Sequence, residues 1–169
     1  MPTSDLVPDF IQFASGWTGA TVANLEAADA LRATDGDVAE FITALVTNAP
    51  GDFGSLNTVQ LVVVARRNGT PPREKQVLME LLDGSDNILE SFTTGNLGSI
   101  DGQSQSSAFS RSDNEFVVNG YKARCTIQEG GGMPGGVTAE INHFRIVIDY
   151  DVAGAGPGLR TLALTGAGT

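Results

Sequence analysis

The chain has 169 residues, 41% of them apolar, with 20 acidic against 10 basic side chains and a formal charge of −10. A single domain of this size buries roughly 70% of its unfolded surface, so neither disulfides nor a metal is needed to hold it together. The acidity excludes a phosphate-binding surface built on Lys and Arg, and no apolar run approaches the ~20 residues of a membrane helix, so neither nucleic acid nor membrane is expected as a partner.

Low charge and 21 glycines, clustered late, are typical of all-β shells and sandwiches. Residues 1–9 carry two prolines and few apolar anchors and read as an N-terminal arm. They hold no basic segment followed by an apolar run, so no secretory signal is expected there. Phe10 to Phe13 alternates and reads as a short first strand. Gly16-Trp17-Thr18-Gly19 is a turn bearing the sole tryptophan, either a core or rim anchor or a sugar-stacking platform. Val22, Leu25, Ala28 and Leu31 share a helical face, which predicts a short helix or helical turn over 22–31. Asp35-Gly36-Asp37 reads as a turn and Val38 to Val46 as a strand, with Phe41 a core candidate.

Asn57 to Arg67 contains Leu61 to Ala65, an unbroken apolar run that suits a central strand covered on both faces. Gln76 to Leu82 and Ile88 to Thr94, joined through Asp83 to Asn87, form the best hairpin candidate. Gly95 to Ser107 is a polar excursion of the kind that is functional or mobile. In Tyr121 to Gln128 the residues Tyr121, Ala123, Cys125 and Ile127 point one way, and Lys122, Arg124, Thr126 and Gln128 the other. Glu129 to Gly136 is a flexible loop. Thr138 to Tyr150 is the strongest strand, with Phe144, Ile146, Ile148 and Tyr150 on its core face. The segment 153–169 is a Gly-rich C-terminal arm whose spaced Leu159, Leu162 and Leu164 suit docking. Roughly eight strands in one domain over 10–152, between two extended arms, predict an all-β fold: a two-sheet antiparallel sandwich, jelly-roll-like, with one short helical insertion.

Chemistry is sparse. One histidine, His143, precludes a multi-histidine metal site and sits in a strand, where a structural role is expected. Glu80, Glu90, Glu140 and Asp149 are outward strand carboxylates, which are ordinarily just solvated. The Asp83–Asn87 and Asp35–Asp37 segments have oxygen ligands but lack calcium-loop spacing, and read as turns. Lys122 and Arg124 beside Tyr121 are better explained as an outward strand face than as a nucleic-acid patch. The unpaired Cys125 falls on an inward face and fits a chain made in a reducing cytosol. No catalytic residue, cofactor or metal is expected.

Three segments in order carry a resemblance: Gly16-Trp17-Thr18-Gly19 with Asp35-Gly36-Asp37-Val38-Ala39; Leu56 to Arg66 followed by Val77 to Gly84; and Ile141 to Tyr150. The order resembles a family of β-sandwich structural proteins of tailed bacteriophages, found as capsid decoration (cement) proteins and in head fibres and tails. Gly19 stands where that family usually has Asn, and Leu56-Asn57-Thr58 replaces its usual I-x-G start of the central strand. The resemblance spans about Gly16 to Val152 and brings no catalytic residues. It implies a capsid decoration protein that is made in the host cytoplasm, sits on the virion surface as a homotrimer, and clamps the major capsid protein. The arm residues Leu6, Val7, Leu159, Leu162 and Leu164 would make the contact. The alternative is a head-fibre, tail or adaptor module binding host glycan through Trp17 and Tyr121.

Overall fold

Alternation in the sequence becomes two facing sheets. The computed structural model describes residues 2–27, 31–69, 74–111, 120–131 and 137–154. Among them run β1 (Thr3–Leu6), β2 (Pro8–Ala14), β3 (Ala33–Gly36), β4 (Phe41–Val46), β5 (Phe53–Asn68), β6 (Glu74–Leu82), β7 (Ile88–Thr93), β8 (Gly102–Gln105), β9 (Phe109–Ser110), β10 (Lys122–Gly131) and β11 (Thr138–Val152). One helical turn, α1 (Val22–Leu25), follows β2. The first sheet has the order β1-β11-β5-β8, with β3 also on β11 and β9 on β5. The second has the order β2-β4-β10-β6-β7. Set aside β1 and β2, and β3-β11-β5-β8 faces β4-β10-β6-β7, the strand order of a jelly roll. The expected all-β, two-sheet antiparallel sandwich is the fold observed.

The inward sets are Val59, Leu61, Val63 and Ala65 of β5, and Phe144, Ile146, Ile148 and Tyr150 of β11. They meet Ile42, Ala44 and Val46 of β4, Val77, Met79 and Leu81 of β6, and Ala123, Cys125 and Ile127 of β10 across the gap. Burying each large aliphatic or aromatic side chain contributes about 1.5–3 kcal/mol. Val62, on the other face of β5, is buried too, beside Arg145 of β11 in the ladder, but its outward neighbours Gln60 and Val64 are only half-buried, so β5 lies inside the sheet without the cover on both faces that its apolar run predicts.

A one-residue irregularity explains the phase of β11. Ile141 pairs with Ala65 and His143 with Val64, so Asn142 is an extra residue on the longer strand. That bulge lets Ile141 and Phe144, three apart, both face the core.

Several expectations change. Of the expected arm 1–9, residues 3–6 form β1 and residues 8–9 open β2, which takes in the strand expected from Phe10 to Phe13: β1 pairs Leu6 with Ile146 at one edge of the first sheet, and the chain then crosses to the edge of the second. Leu6 is 1% exposed and belongs to the core, so it cannot reach another protein. Val7 is half-buried, with its amide donating to Thr47 Oγ1 at 3.3 Å and its carbonyl accepting from the Thr47 amide at 2.8 Å. The helical segment is the single turn, not the longer helix. Thr21 caps it by accepting from the Asn24 amide at 3.3 Å, and it ends at Leu25; residues 28–30 of the expected span lie outside the described residues.

The turn expected at Asp35–Asp37 falls two residues later, because Asp35 and Gly36 belong to β3. Ala39 takes the left-handed φ of +67° there, and the Glu40 amide donates to the Asp37 carbonyl. The excursion 95–107 is pinned rather than loose. The Leu97 amide donates to the Lys75 carbonyl and the Arg67 amide to the Gly98 carbonyl, each at 2.8 Å. The Arg32 guanidinium pairs with Asp101 in the same segment. The C-terminal leucines Leu159, Leu162 and Leu164 lie outside the described residues.

One end of the sandwich holds a buried cation. Lys75, 2% exposed, shares the inward phase of Val77 and donates to Asp37 Oδ1 at 2.8 Å and Glu129 Oε1 at 3.4 Å. That bond, with the Val38 amide, holds the Asp37 carboxyl below its ordinary 3.8 against a smaller opposing effect of burial. A lowered folded value means the pair stabilises above pH 3.8, and the contribution is lost as pH falls through the folded value. Asp37→Asn is therefore expected to lower the melting temperature at neutral pH and to flatten its decline below about pH 4. Thermal melts across the acid range measure this; parallel curves for variant and parent would contradict it.

Candidate functional site

The outward face of the second sheet carries a surface hollow beside exposed aromatic rings. In β4, Ile42, Ala44 and Val46 point inward, which turns Phe41, Thr43 and Leu45 outward. In β2 the register slips between Pro8 and Phe10 and again between Ile11 and Phe13. Ile11 packs against the core, while Phe10 pairs with Leu45 and Phe13 with Thr43 on the outside. The second slip re-aims Phe13, which simple alternation would have put on the side of Ile11. Phe13 then stacks on Phe41, with centroids 5.3 Å apart and planes 11° from parallel.

Phe10 and Phe13 are 58% and 56% exposed, so one stacked ring remains open to solvent. Beside the stack lies a hollow of about 280 Å³ lined by Gln12, Phe13, Phe41, Thr43, Asp86 and Arg124. That volume sits at the lower edge of small-molecule sites, roughly 300 Å³ and up. A second hollow of about 270 Å³, lined by Leu56, Asn57, Ser110 and Arg111, has no aromatic wall among the described residues.

The charges around the first hollow are fixed in pairs. Arg124 Nε donates to Glu80 Oε2 at 2.6 Å, across the Arg124–Glu80 register of β10 and β6. The Glu80 bond raises the Arg124 guanidinium above its ordinary value, outweighing partial burial, so the group is a permanent cation. Lys122 Nζ donates to Asp86 Oδ1 at 2.6 Å. Asp86 lies in the β6–β7 turn, with φ of +66°, and Asp83 builds that turn: its Oδ1 accepts the Ser85 and Asn87 amides, each at 2.8 Å. The Asp83–Asn87 segment is thus a structural hairpin turn that places Asp86 at the hollow.

The residues expected to touch glycan are elsewhere. Tyr121 is 0% exposed. It shares the inward phase of Ala123, Cys125 and Ile127, and the alternation that groups those residues buries it, so it cannot offer a stacking face. Trp17 is half-buried with its ring against the core, and its buried indole Nε1 has no hydrogen-bond partner among the described residues. Phe41, expected in the core, forms the outer stack instead. The signal for Phe41 was Thr43, the polar member that sets the outward phase of β4. Nothing in the sequence marks the register slip that turns Phe13 outward.

Among the described residues, reactive side chains do not converge. His143 is buried in the first sheet, with Nδ1 3.1 Å from Asn142 Oδ1 and Nε2 2.8 Å from an Arg145 nitrogen. Glu80 is paired with Arg124, Glu140 with Arg66 at 2.6 Å, and Glu90 with Arg111 at 3.5 Å. Glu80 and Glu90 belong to the second sheet, Glu140 and Asp149 to the first. Full burial, reinforced by Glu80, pushes the Cys125 thiol far above its ordinary value. Native protein is therefore expected to react with a thiol reagent only as fast as it unfolds. Rapid stoichiometric labelling without denaturant would show the thiol to be reachable.

No family model matches the chain, and no curated protein matches it. Solved structures do. A truncated AlyQ with CBM32 and alginate lyase domains is 14% identical, covering 89% of this chain and 34% of that one, with a TM-score of 0.49. A family 35 carbohydrate binding module from Clostridium thermocellum is 14% identical over 87% of this chain and 98% of that one, at 0.47. The enzymatically active domain of tailspike protein 4 of bacteriophage CBA120 is 13% identical over 88% and 19%, at 0.36. At these identities no ligand or functional residue transfers to this chain, and the phage resemblance stands on its sequence motifs alone.

Proposed function

We propose that the domain is a non-catalytic recognition module and that the outward face of its second sheet binds saccharide. The observation that carries this reading is the exposed Phe13–Phe41 stack beside a hollow walled by Gln12, Thr43, Asp86 and Arg124. Pyranose and furanose rings present apolar C–H faces to an aromatic ring and hydroxyls at their edges. A flat apolar wall flanked by donors and acceptors matches both. The sandwich fixes the wall on strands, so little ordering accompanies binding. A glycan array probed with the parent and with Phe13→Ala tests the reading. Retention of one saccharide class by the parent and its loss in the variant is expected; no hits would overturn the reading.

A second reading has its own observation. Phe10 and Phe13 expose apolar surface on β2, an edge strand, and the sequence motifs resemble phage structural proteins. In that reading the same face docks on the major capsid protein, as a homotrimeric capsid decoration protein would, with Phe10, Phe13 and Leu45 replacing the buried Leu6. Co-sedimentation with undecorated capsids decides it: stoichiometric retention lost in Phe10→Asp supports it, and absence of retention removes it.

A further inference from the structure

Resting on the saccharide reading, we infer that this face selects uncharged saccharides over acidic ones and that Glu80 is the residue setting the choice. A carboxylate- or sulfate-bearing sugar needs a cation to meet it. Among the described residues the face has two, Arg124 and Lys122, and each is already held at 2.6 Å by a carboxylate of this chain, Glu80 and Asp86 respectively. Two cations against two anions leave the face with no net charge from these groups. Around it the chain carries −10 overall, so an acidic ligand approaches against the field of the whole molecule.

The two acids differ in what they can do. Asp86 is more than half exposed, on a turn, whereas Glu80 is 7% exposed on β6, directly opposite Arg124 in the ladder. Glu80 therefore holds Arg124 in a fixed pose, in which the guanidinium can serve a neutral hydroxyl but is electrically satisfied. Removing the Glu80 charge while keeping its shape leaves a positive wall in the hollow beside the Phe13–Phe41 stack, the chemistry that captures a uronate.

The test compares the parent and Glu80→Gln on paired panels of neutral oligosaccharides and the same chain lengths carrying uronic acids, by calorimetry. The parent is expected to bind a neutral member at least about tenfold more tightly than its acidic counterpart, about 1.4 kcal/mol. The variant is expected to narrow or invert that ratio, and its acidic binding should weaken with added salt while neutral binding does not. Tighter binding of acidic ligands by the parent would overturn the inference and leave the saccharide reading standing. An unchanged ratio in a folded Glu80→Gln would remove Glu80 from the role. A salt series on the parent gives a readout independent of the variant's folding: loss of binding with salt would contradict an uncharged ligand. Binding of neither panel would instead overturn the saccharide reading itself.

Discussion

Phe13→Ala is expected to weaken saccharide binding at least about tenfold, the equivalent of 1.4 kcal/mol, while leaving the fold intact. The two effects separate because Phe13 is 56% exposed and does not belong to the core cluster. Its loss removes the stack with Phe41, a pair worth about 0.5–1.5 kcal/mol, and leaves no cavity in the core. Binding suffers more. The open ring supplies the flat apolar wall of the hollow, and Phe41 alone is recessed in β4. Phe13→Trp should retain or improve affinity, because a larger flat ring keeps the wall. Equal affinity in the parent and Phe13→Ala, measured by calorimetry on folded protein, would show that the ligand sits elsewhere.

Phe144→Ala is expected to be the most damaging single truncation on stability. Phe144 is fully buried in β11, paired with Val63 in the centre of the first sheet, and among the largest side chains in the core. Removing a buried phenylalanine costs about 3–5 kcal/mol, part of it lost transfer energy and part the cavity left behind. For a domain of 150–250 residues each kcal/mol lowers the melting temperature by about 2–4 °C, so a fall of about 6–20 °C is expected. A shift of only about 2 °C would mean that the two sheets do not close on Phe144.

The strands that alternate strongly were legible without a structure. Tyr121 to Gln128 carries a polar residue at every second position and Phe144 to Tyr150 does so except at Val147, so periodicity assigns both faces. The hairpin from Gln76 to Thr94 was legible because Asp83, Gly84 and Asn87 mark a turn. What alternation misses is the irregular residue. The bulge at Asn142 and the slips in β2 shift phase by one, and a one-residue shift sends a side chain to the opposite face. Phe13 reached the site that way, and β4, whose outward face has Thr43 as its one polar residue, hid Phe41 among core candidates. The strand at Thr3 to Leu6 was hidden by the two prolines that flank it, Pro2 before β1 and Pro8 at the first position of β2, an edge strand, where proline is tolerated. Tyr121 is the opposite case, since its own alternation placed it inside.

The most direct measurement is a titration of ¹⁵N-labelled protein with the neutral oligosaccharide that the array selects, followed residue by residue. Shifts concentrated on Gln12, Phe13, Phe41, Thr43 and Arg124, and absent in Phe13→Ala, are the expected result. Saturable binding that instead moves the first sheet, around Thr58, Val64 and Arg145, would contradict recognition by the aromatic face.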